Sequence, residues 1–211
     1  MRPAHLPTAE LIASWPDFTP AEPLRLLVSA CLTGEPCGVD GTCYGEYPLA
    51  RYLVSRPNIK VVKFCPEHAA VGTPRAMPDI HGGNGYEVLD GRARFLSDQG
   101  EDWTDAIVKS AVQMRDLALA ESVHLALMMD ISGACGSTVI YRGARSLKVY
   151  QKGPGVAGAA IMRAGIPVVS QRDERTLGLL FAKLGADPSA LLADGLDHYE
   201  RPWFRGYFAE S

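Results

Sequence analysis

The chain has 211 residues, of which 47% are hydrophobic and 21% are charged, which fits one domain with a sizeable core and requires no second. The formal charge of -3 and the isoelectric point near 6.0 argue against binding nucleic acid through bulk positive charge, although they leave room for a local basic groove. No apolar stretch reaches the roughly eighteen residues that cross a bilayer, and Pro, Glu and Asp interrupt the N-terminus. The sequence therefore predicts a soluble, cytoplasmic protein.

Apolar runs alternate with amphipathic segments along most of the chain. The runs are of strand length and continuous, as in strands buried on both faces of a parallel sheet. The predicted strands are 23–30, 58–64, 123–129 and 166–170, and the predicted helices are 49–55, 101–122, 154–165 and 173–185. This alternation predicts an α/β fold, a Rossmann-like three-layer domain with a mainly parallel sheet and long cysteine-bearing loops at the carboxyl edge of the strands.

Three segments between these elements carry turn signals. Residues 31–48 are rich in Gly and Pro, and residues 66–85 hold three prolines and four glycines, so both are predicted to be long loops without ordered helix or strand. Residues 86–96 are predicted to form a hairpin, because Asp90-Gly91 suits a two-residue turn.

The predicted domain is flanked by two segments of different composition. Residues 1–22 form a Pro-rich leader, residues 23–185 the α/β domain and residues 186–211 an aromatic tail. The tail is expected to pack on the domain or on a partner subunit, in a monomer or homodimer. Its aromatic residues are Tyr199, Trp203, Phe204, Tyr207 and Phe208.

The five cysteines are the clearest chemical signal: Cys31, Cys37, Cys43, Cys65 and Cys135. Their odd number and wide spacing do not indicate a disulfide scaffold. Cys31, Cys65 and Cys135 each follow a predicted strand, and the carboxyl ends of parallel strands are where loops converge and ligands bind. These three thiols are therefore expected to meet in one cavity.

Three uses of such thiols stay open at this point. An iron–sulfur cubane with three protein ligands leaves one iron accessible, whereas a structural zinc site needs a fourth ligand, which Cys37, Cys43 or His68 would have to supply. A zinc-stabilised binding module, for instance for RNA, is thus one alternative. A thiol-dependent sulfurtransferase is another, although its anion-binding loop needs an arginine soon after the thiol and the first arginine after Cys31 is Arg51.

Several segments together resemble the DUF523 family, which includes the thiouracil desulfidases. They include "VSACLTGEPCGVDG", "FCPEHAAVGTPRAMPDI", "SGACG" and "GPGVAGAAIMRAGIPVVS", and the resemblance runs from about residue 28 to residue 170. It implies that Cys31, Cys65 and Cys135 hold a [4Fe-4S] cluster whose open iron binds the sulfur of a thiolated uracil. It also implies that Glu67 and Ser132 assist the reaction.

Two departures from the family pattern concern the pocket and not the ligands. Ser132-Gly133-Ala134-Cys135-Gly136 stands where the family usually has Ser-Pro-Ser-Cys-Gly, and Met129-Asp130 stands in the region of an upstream lysine. The Arg-Tyr-Asp-Gly stretch of the family is represented by residues 38–41, Gly-Val-Asp-Gly. These changes bear on which substrate is bound more than on the chemistry.

The resemblance implies hydrolysis of a C=S group to C=O with release of hydrogen sulfide, in which Glu67 activates water and Ser132 relays a proton. The substrate is expected to be a small thiolated pyrimidine, as base or nucleotide, and thiolated RNA stays open. Arg75 is expected to bind a substrate phosphate or carbonyl, or else to pair with Asp79 or another acid. Residues 153–158, "GPGVAG", are predicted to open a helix, with glycines for close packing and amides that could bind a nucleotide phosphate.

Overall fold

The computed structural model describes residues 1–43 and 45–209. The strands are β1 (Leu24–Ser29), β2 (Ile59–Phe64), β3 (Pro78–His81), β4 (Arg94–Ser97), β5 (Leu125–Met128), β6 (Val139–Tyr141), β7 (Tyr150–Lys152) and β8 (Val168–Ser170). The main sheet has four parallel strands in the order β2-β1-β5-β8, and two antiparallel pairs, β3-β4 and β6-β7, lie outside it.

Helices connect these strands. They are α1 (Ala9–Ser14), α2 (Pro48–Val54), α3 (Pro66–Val71), α4 (Gly85–Leu89), α5 (Thr104–Ala120), α6 (Val156–Arg163), α7 (Glu174–Lys183) and α8 (Pro202–Phe208). Short 3-10 helices cover Ala30–Thr33, Arg145–Leu147, Ser189–Leu191 and His198–Glu200. Within the described residues, no helix combines the length and the apolar character that a membrane span requires.

The main sheet is buried between two layers of helices. Side chains alternate between the faces of a strand, so in β1 Leu27 packs toward α5 and α6 while Leu26 and Val28 pack toward α2 and α7. The α/β three-layer prediction is confirmed, as are its four central strands and four connecting helices. Chain order changes direction between β1 and β5, the kind of position where ligands bind in open parallel sheets.

Two predictions for residues 66–96 were wrong. The segment 66–85 is not an irregular loop, because Pro66–Val71 forms α3 and Pro78–His81 forms β3. The predicted hairpin around Asp90 is instead helix α4 followed by β4, which pairs with β3. A capping box accounts for the helix: the Asn84 side chain accepts the N–H of Tyr86, and the Glu87 carboxylate accepts the N–H of Asn84.

Both flanking segments pack on the domain. Leu6 of the N-terminal segment is 2% exposed, and the carbonyl of His5 accepts the N–H of Val168 in the edge strand β8. At the other end of the chain, α8 covers the β6-β7 pair, where the Tyr207 hydroxyl accepts the N–H of Tyr150 at 2.8 Å. The two ends therefore extend the core of the domain.

Candidate active site

A cavity of about 190 Å³ opens at the carboxyl edge of the main sheet. All six residues proposed from the sequence line it: Cys31, Cys65, Cys135, Glu67, Ser132 and Arg75. The structure thus brings together side chains that are up to 104 positions apart in the chain. Strands β1, β2 and β5 are adjacent in the sheet, which is why the loops that follow them meet.

Local backbone structure fixes the first two thiols. Cys31 lies in the 3-10 turn after β1, which ends at Gly34 with a φ of 92°, a conformation that glycine adopts without strain. Cys65 is the N-cap of α3, where its Sγ accepts the N–H of His68 at 3.4 Å. Pro66 then starts the helix, at the position where a missing N–H costs no hydrogen bond.

The third thiol lies in a tight turn after β5. The N–H of Cys135 donates to Ser132 Oγ at 3.1 Å, and the N–H of Gly136 donates to the Ser132 carbonyl at 2.8 Å. Cys135 itself is 7% exposed. Ser132 therefore both lines the cavity and shapes the turn that presents Cys135.

The start of α6 holds this turn from behind. Amides of Gly155 and Val156 donate to the carbonyls of Gly136 and Gly133 at 2.8 and 2.9 Å. A Cβ at Gly155 would lie 2.6 Å from the carbonyl of Ala134, so the glycine there permits the close packing predicted from the sequence. The prediction that these amides could bind a nucleotide phosphate is wrong, because they bind the cysteine turn.

Glu67 and Arg75 form an ion pair in the cavity wall. Arg75 Nη2 and Nε donate to Glu67 Oε2 at 2.5 and 3.2 Å, and the two side chains are 14% exposed for Glu67 and 3% for Arg75. Arg75 Nη1 also donates to Thr73 Oγ1 and to the carbonyls of Cys37 and Gly72. The guanidinium thus joins the carboxylate to the loops that surround it.

The acid that pairs with Arg75 is not Asp79, one of the two partners suggested by the sequence. Asp79 instead accepts hydrogen bonds from the backbone and guanidinium of Arg145, with distances of 2.7 to 3.3 Å. Arg145, which the sequence did not single out, also lines the cavity. The sequence held no signal for this pairing, since the two residues are brought together by packing of the β3-β4 pair against the loop after β6.

The sequence offered Cys37 only as a possible fourth zinc ligand, and in the structure its thiol interacts with those of Cys31 and Cys65. It is 7% exposed and belongs to the cavity lining. The hydrogen bond with Cys31 is the main cause that raises the pKa of Cys37 to about 11. Its position six residues after Cys31 in the same predicted loop could have indicated that its thiol lies in the cavity.

The other thiols are also perturbed by crowding. The hydrogen bond with Cys37, followed by burial, raises the pKa of Cys65 above that of an ordinary thiol. Burial, followed by the nearby charges of Cys65 and Glu67, raises the pKa of Cys135 well above its ordinary value. A buried group of sulfur donors of this kind is suited to a positively charged partner that would favour the thiolates.

Cys43 and His68 do not join the cavity lining. Cys43 Sγ donates to the carbonyl of Gly45 at 3.5 Å, and His68 Nδ1 contacts Thr73 Oγ1 at 2.9 Å. Across residues 1–43 and 45–209, no three His, Cys, Asp or Glu side chains are grouped so that they could hold a single metal ion. Of the three residues that the sequence offered as a fourth zinc ligand, Cys37 lies in the cavity lining and Cys43 and His68 do not.

The fold and the cavity define an α/β protein with a multi-thiol site at the carboxyl edge of a parallel sheet. This chain belongs to the 2-thiouracil desulfurase family, DUF523, whose profile matches residues 26–173. The match confirms the resemblance seen in the sequence, and it leaves the N-terminal segment and the tail outside the family region.

Two relatives are similar over most of their length. The uncharacterized protein YbbK of Bacillus subtilis (strain 168) is 34% identical over 149 residues, which are 70% of this chain and 96% of YbbK. The solved structure of the [4Fe-4S]-dependent thiouracil desulfidase TudS is 30% identical and superposes with a TM-score of 0.62. That match covers 75% of this chain and 97% of TudS. The family and this structure support an enzyme that removes sulfur from a small thiolated substrate.

Proposed function

We propose that this protein is a [4Fe-4S]-dependent, non-redox desulfidase that hydrolyses the C=S group of a thiolated pyrimidine to C=O. The observation that carries the proposal is the convergence of Cys31, Cys65 and Cys135 on one cavity that also contains Glu67 and Ser132. The cytoplasmic location belongs to the same proposal, because free thiols and an oxygen-sensitive cluster suit a reducing compartment.

The chemistry of the donor set fits an iron–sulfur cluster. Three thiols come from three adjacent strand ends and line one cavity, and cysteine thiolates are the usual ligands of such clusters. Cys31, Cys65 and Cys135 would hold the cluster. Bound in this way, it would supply one iron without a protein ligand, a Lewis acid that accepts the substrate sulfur and makes the attached carbon electrophilic.

Glu67 is the proposed general base. Its side chain is 14% exposed in the cavity wall, so water reaches it, and both hydrogen bonds from Arg75 fall on Oε2. Oε1 is then the oxygen that takes a proton from the attacking water, a step that contributes typically about 10² to 10⁴ in rate. Arg75 acts on the substrate only through Glu67 in this scheme.

Ser132 is the proposed proton relay. Its Oγ accepts the N–H of Cys135, which leaves the hydroxyl proton for donation toward the ring nitrogen of the substrate. The carbon gains an oxygen from water and loses its sulfur, and the two protons of the water leave with the sulfur as hydrogen sulfide. The reaction therefore balances without an oxidant or a reductant.

The test is sulfide release by anaerobically purified, iron-reconstituted protein from a panel of thiolated free bases, nucleosides and nucleotides. We expect about four irons per chain, a brown colour and release of sulfide without added reductant. In water enriched with oxygen-18, the product should carry one labelled oxygen. A product without the label would contradict hydrolysis.

Variants separate the ligands from the catalyst. Each of the variants Cys31→Ser, Cys65→Ser and Cys135→Ser should have a reduced iron content. Cys43→Ser, which changes a residue outside the cavity, should keep the iron content of the wild type. Glu67→Gln should retain iron but lose at least about 100-fold in sulfide release, since the amide cannot accept the proton. Sulfide release that survives removal of iron and disappears when Cys31 is alkylated would instead favour a thiol-dependent sulfurtransferase.

A further inference from the structure

The C-terminal segment, residues 186–209, lies beyond the family match and yet contacts the turn that carries Ser132 and Cys135. The connection runs through Asp130, which lies two positions before Ser132 and has a buried side chain. Neither the profile match nor the sequence motifs assign a role to this segment.

Asp130 ties the start of the turn to its end. Its Oδ1 accepts the backbone N–H groups of Ser137, Thr138 and Val139 at 3.0, 3.2 and 3.3 Å. One carboxylate oxygen therefore closes the segment that contains Cys135. Three backbone donors converging on a buried carboxylate leave the segment few alternative conformations.

The other oxygen of Asp130 is bound by the C-terminal segment. His198 Nδ1 lies 2.6 Å from Asp130 Oδ2, and both side chains are almost completely buried. His198 is fixed in turn by its own N–H, which donates to Asp173 Oδ1 at 3.0 Å, and by Trp203, on which its ring stacks. Because Asp173 also binds the N–H of Ser170 at the end of β8, the imidazole is anchored to the main sheet.

The backbone between Asp130 and Ser132 needs such support. Ile131 has a φ of 56°, in the left-handed region, which is costly for a β-branched residue and persists only where the surroundings impose it. Its side chain packs against the cluster formed by Val139, Phe204 and Phe208. The last two residues belong to α8, so the C-terminal segment holds Ile131 by packing and Asp130 by hydrogen bonding.

We infer that His198 is a positioning residue, which holds the turn of Ser132 and Cys135 in its working geometry through the buried carboxylate of Asp130. The inference rests on the proposed function only for the tasks of Ser132 and Cys135. The C-terminal segment is then a working part of the site in this chain and not a mere cover for the β6-β7 pair.

The first test uses the full chain without iron and does not depend on the proposed function. Alkylation of each cysteine is followed by mass spectrometry in the wild type, His198→Ala and His198→Asn. In His198→Ala, the alkylation rate of Cys135 should rise at least about tenfold, because only the turn that carries Cys135 is released. The alkylation rates of Cys31 and Cys65 should change less than about twofold. His198→Asn should restore slow reaction, since its amide can donate in place of Nδ1.

The matched control is His124→Ala, which removes a half-buried histidine that accepts the N–H of Arg25 near the opposite edge of the sheet. This variant should leave the alkylation rate of Cys135 as low as in the wild type. The inference is overturned if Cys135 reacts at the wild-type rate in His198→Ala, if all the cysteines accelerate together, or if Asn and Ala behave alike.

A second readout uses the iron-loaded protein. His198→Ala should lower kcat for sulfide release at least about tenfold and shorten the lifetime of the bound iron in air, and His198→Asn should recover most of both. If the wild type releases no sulfide, the proposed function fails, whereas the alkylation experiment still decides on His198.

Discussion

Arg75 donates two hydrogen bonds to a single oxygen of Glu67, in an ion pair whose members are 3% and 14% exposed. The same guanidinium binds two loop carbonyls and a threonine hydroxyl, so it fixes the carboxylate relative to the walls of the cavity. This geometry needs the planar fork of arginine, which the compact ammonium group of lysine does not reproduce.

We therefore expect Arg75→Lys to keep the positive charge but no longer to hold the Glu67 carboxylate in place. Sulfide release should fall about tenfold or more while the iron content stays unchanged. Arg75→Ala should in addition lower the free energy of unfolding by about 3–5 kcal/mol, because a largely buried carboxylate is left without its partner. Urea titration and steady-state kinetics measure the two effects. The control, Arg92→Lys, changes an exposed arginine, and an Arg75→Lys variant as active as that control would refute the positioning role.

Ser132 and Ser137 form a natural pair for comparison, because both are serines of the same segment and only Ser132 lines the cavity. Ser132→Ala removes the acceptor of the Cys135 N–H as well as the proposed relay. We expect kcat for sulfide release to fall at least about tenfold, with a loss of stability of about 1 kcal/mol. Ser137→Ala should lose at most a similar amount of stability and keep kcat. Equal kcat values in the two variants would contradict the relay.

Gly155 and Gly178 both lie in or beside helices that pack on the main sheet, but their surroundings differ. A Cβ at Gly155 would lie 2.6 Å from the Ala134 carbonyl, whereas a Cβ at Gly178 in α7 would meet nothing within 4 Å. Gly155→Ala should destabilise the protein by about 1–3 kcal/mol and reduce iron retention by displacing the turn of Cys135. Gly178→Ala should stabilise it by about 0.4–1 kcal/mol. Thermal unfolding and iron content check both expectations.

His5 predicts a pH dependence of stability. Burial lowers its pKa to about 4, against the opposing charge of Asp130 and with the help of Arg2. Between pH 6.5 and pH 4 the unfolded chain takes up a proton that the folded chain does not, so the free energy of unfolding falls as the pH falls, by up to about 3 kcal/mol. His5→Gln retains a group able to bind Thr138, and its free energy of unfolding should fall less over the same pH range. Denaturation at about pH 7 and about pH 4.5 measures the difference, and parallel curves for the two proteins would disprove it.

Cys37 predicts an effect on the properties of the proposed cluster and not on its presence. Its thiol interacts with those of Cys31 and Cys65, and hydrogen bonds to ligand sulfurs raise the reduction potential of iron–sulfur clusters. Cys37→Ala should therefore keep the iron content and shift the potential to more negative values, with a smaller shift for Cys37→Ser. Cys43→Ala is the matched control, and spectroelectrochemical titration gives the potentials. Loss of iron in Cys37→Ser would instead make Cys37 a ligand.

The main sheet and the meeting of the thiols could be predicted because both follow from local patterns. Continuous apolar runs identify buried strands, and a parallel sheet collects the residues after them at one edge, which is why Cys31, Cys65 and Cys135 could be expected to meet. The proposed role of Glu67 was implied by the resemblance to the family. None of these steps required knowledge of packing.

The parts that failed depend on contacts between distant segments or on weak local signals. Helix α4 was missed because the Asp90-Gly91 pair outweighed the capping box of Asn84 and Glu87, although the sequence contains both. Arg75 pairs with Glu67 and not with Asp79 because of how the loops around the cavity pack on one another, which the sequence does not show. His198 carried no sign of its contact with Asp130, since the 68 positions between them leave no periodicity to read.

The pairing of β1 with β2 sets the distance between two of the three thiols. Hydrogen-bonded strands lie about 4.8 Å apart, so the backbone of the sheet places Cys31 and Cys65 side by side, whereas the position of Cys135 depends on its own turn. Slipping one strand by a single residue would move its thiol by about 3.3 Å and turn every side chain of that strand to the opposite face. Insertions in the connecting loops away from the cysteines should therefore be tolerated far better than a one-residue insertion within β1, where Ser29 pairs with Phe64 two residues before Cys31 and one residue before Cys65.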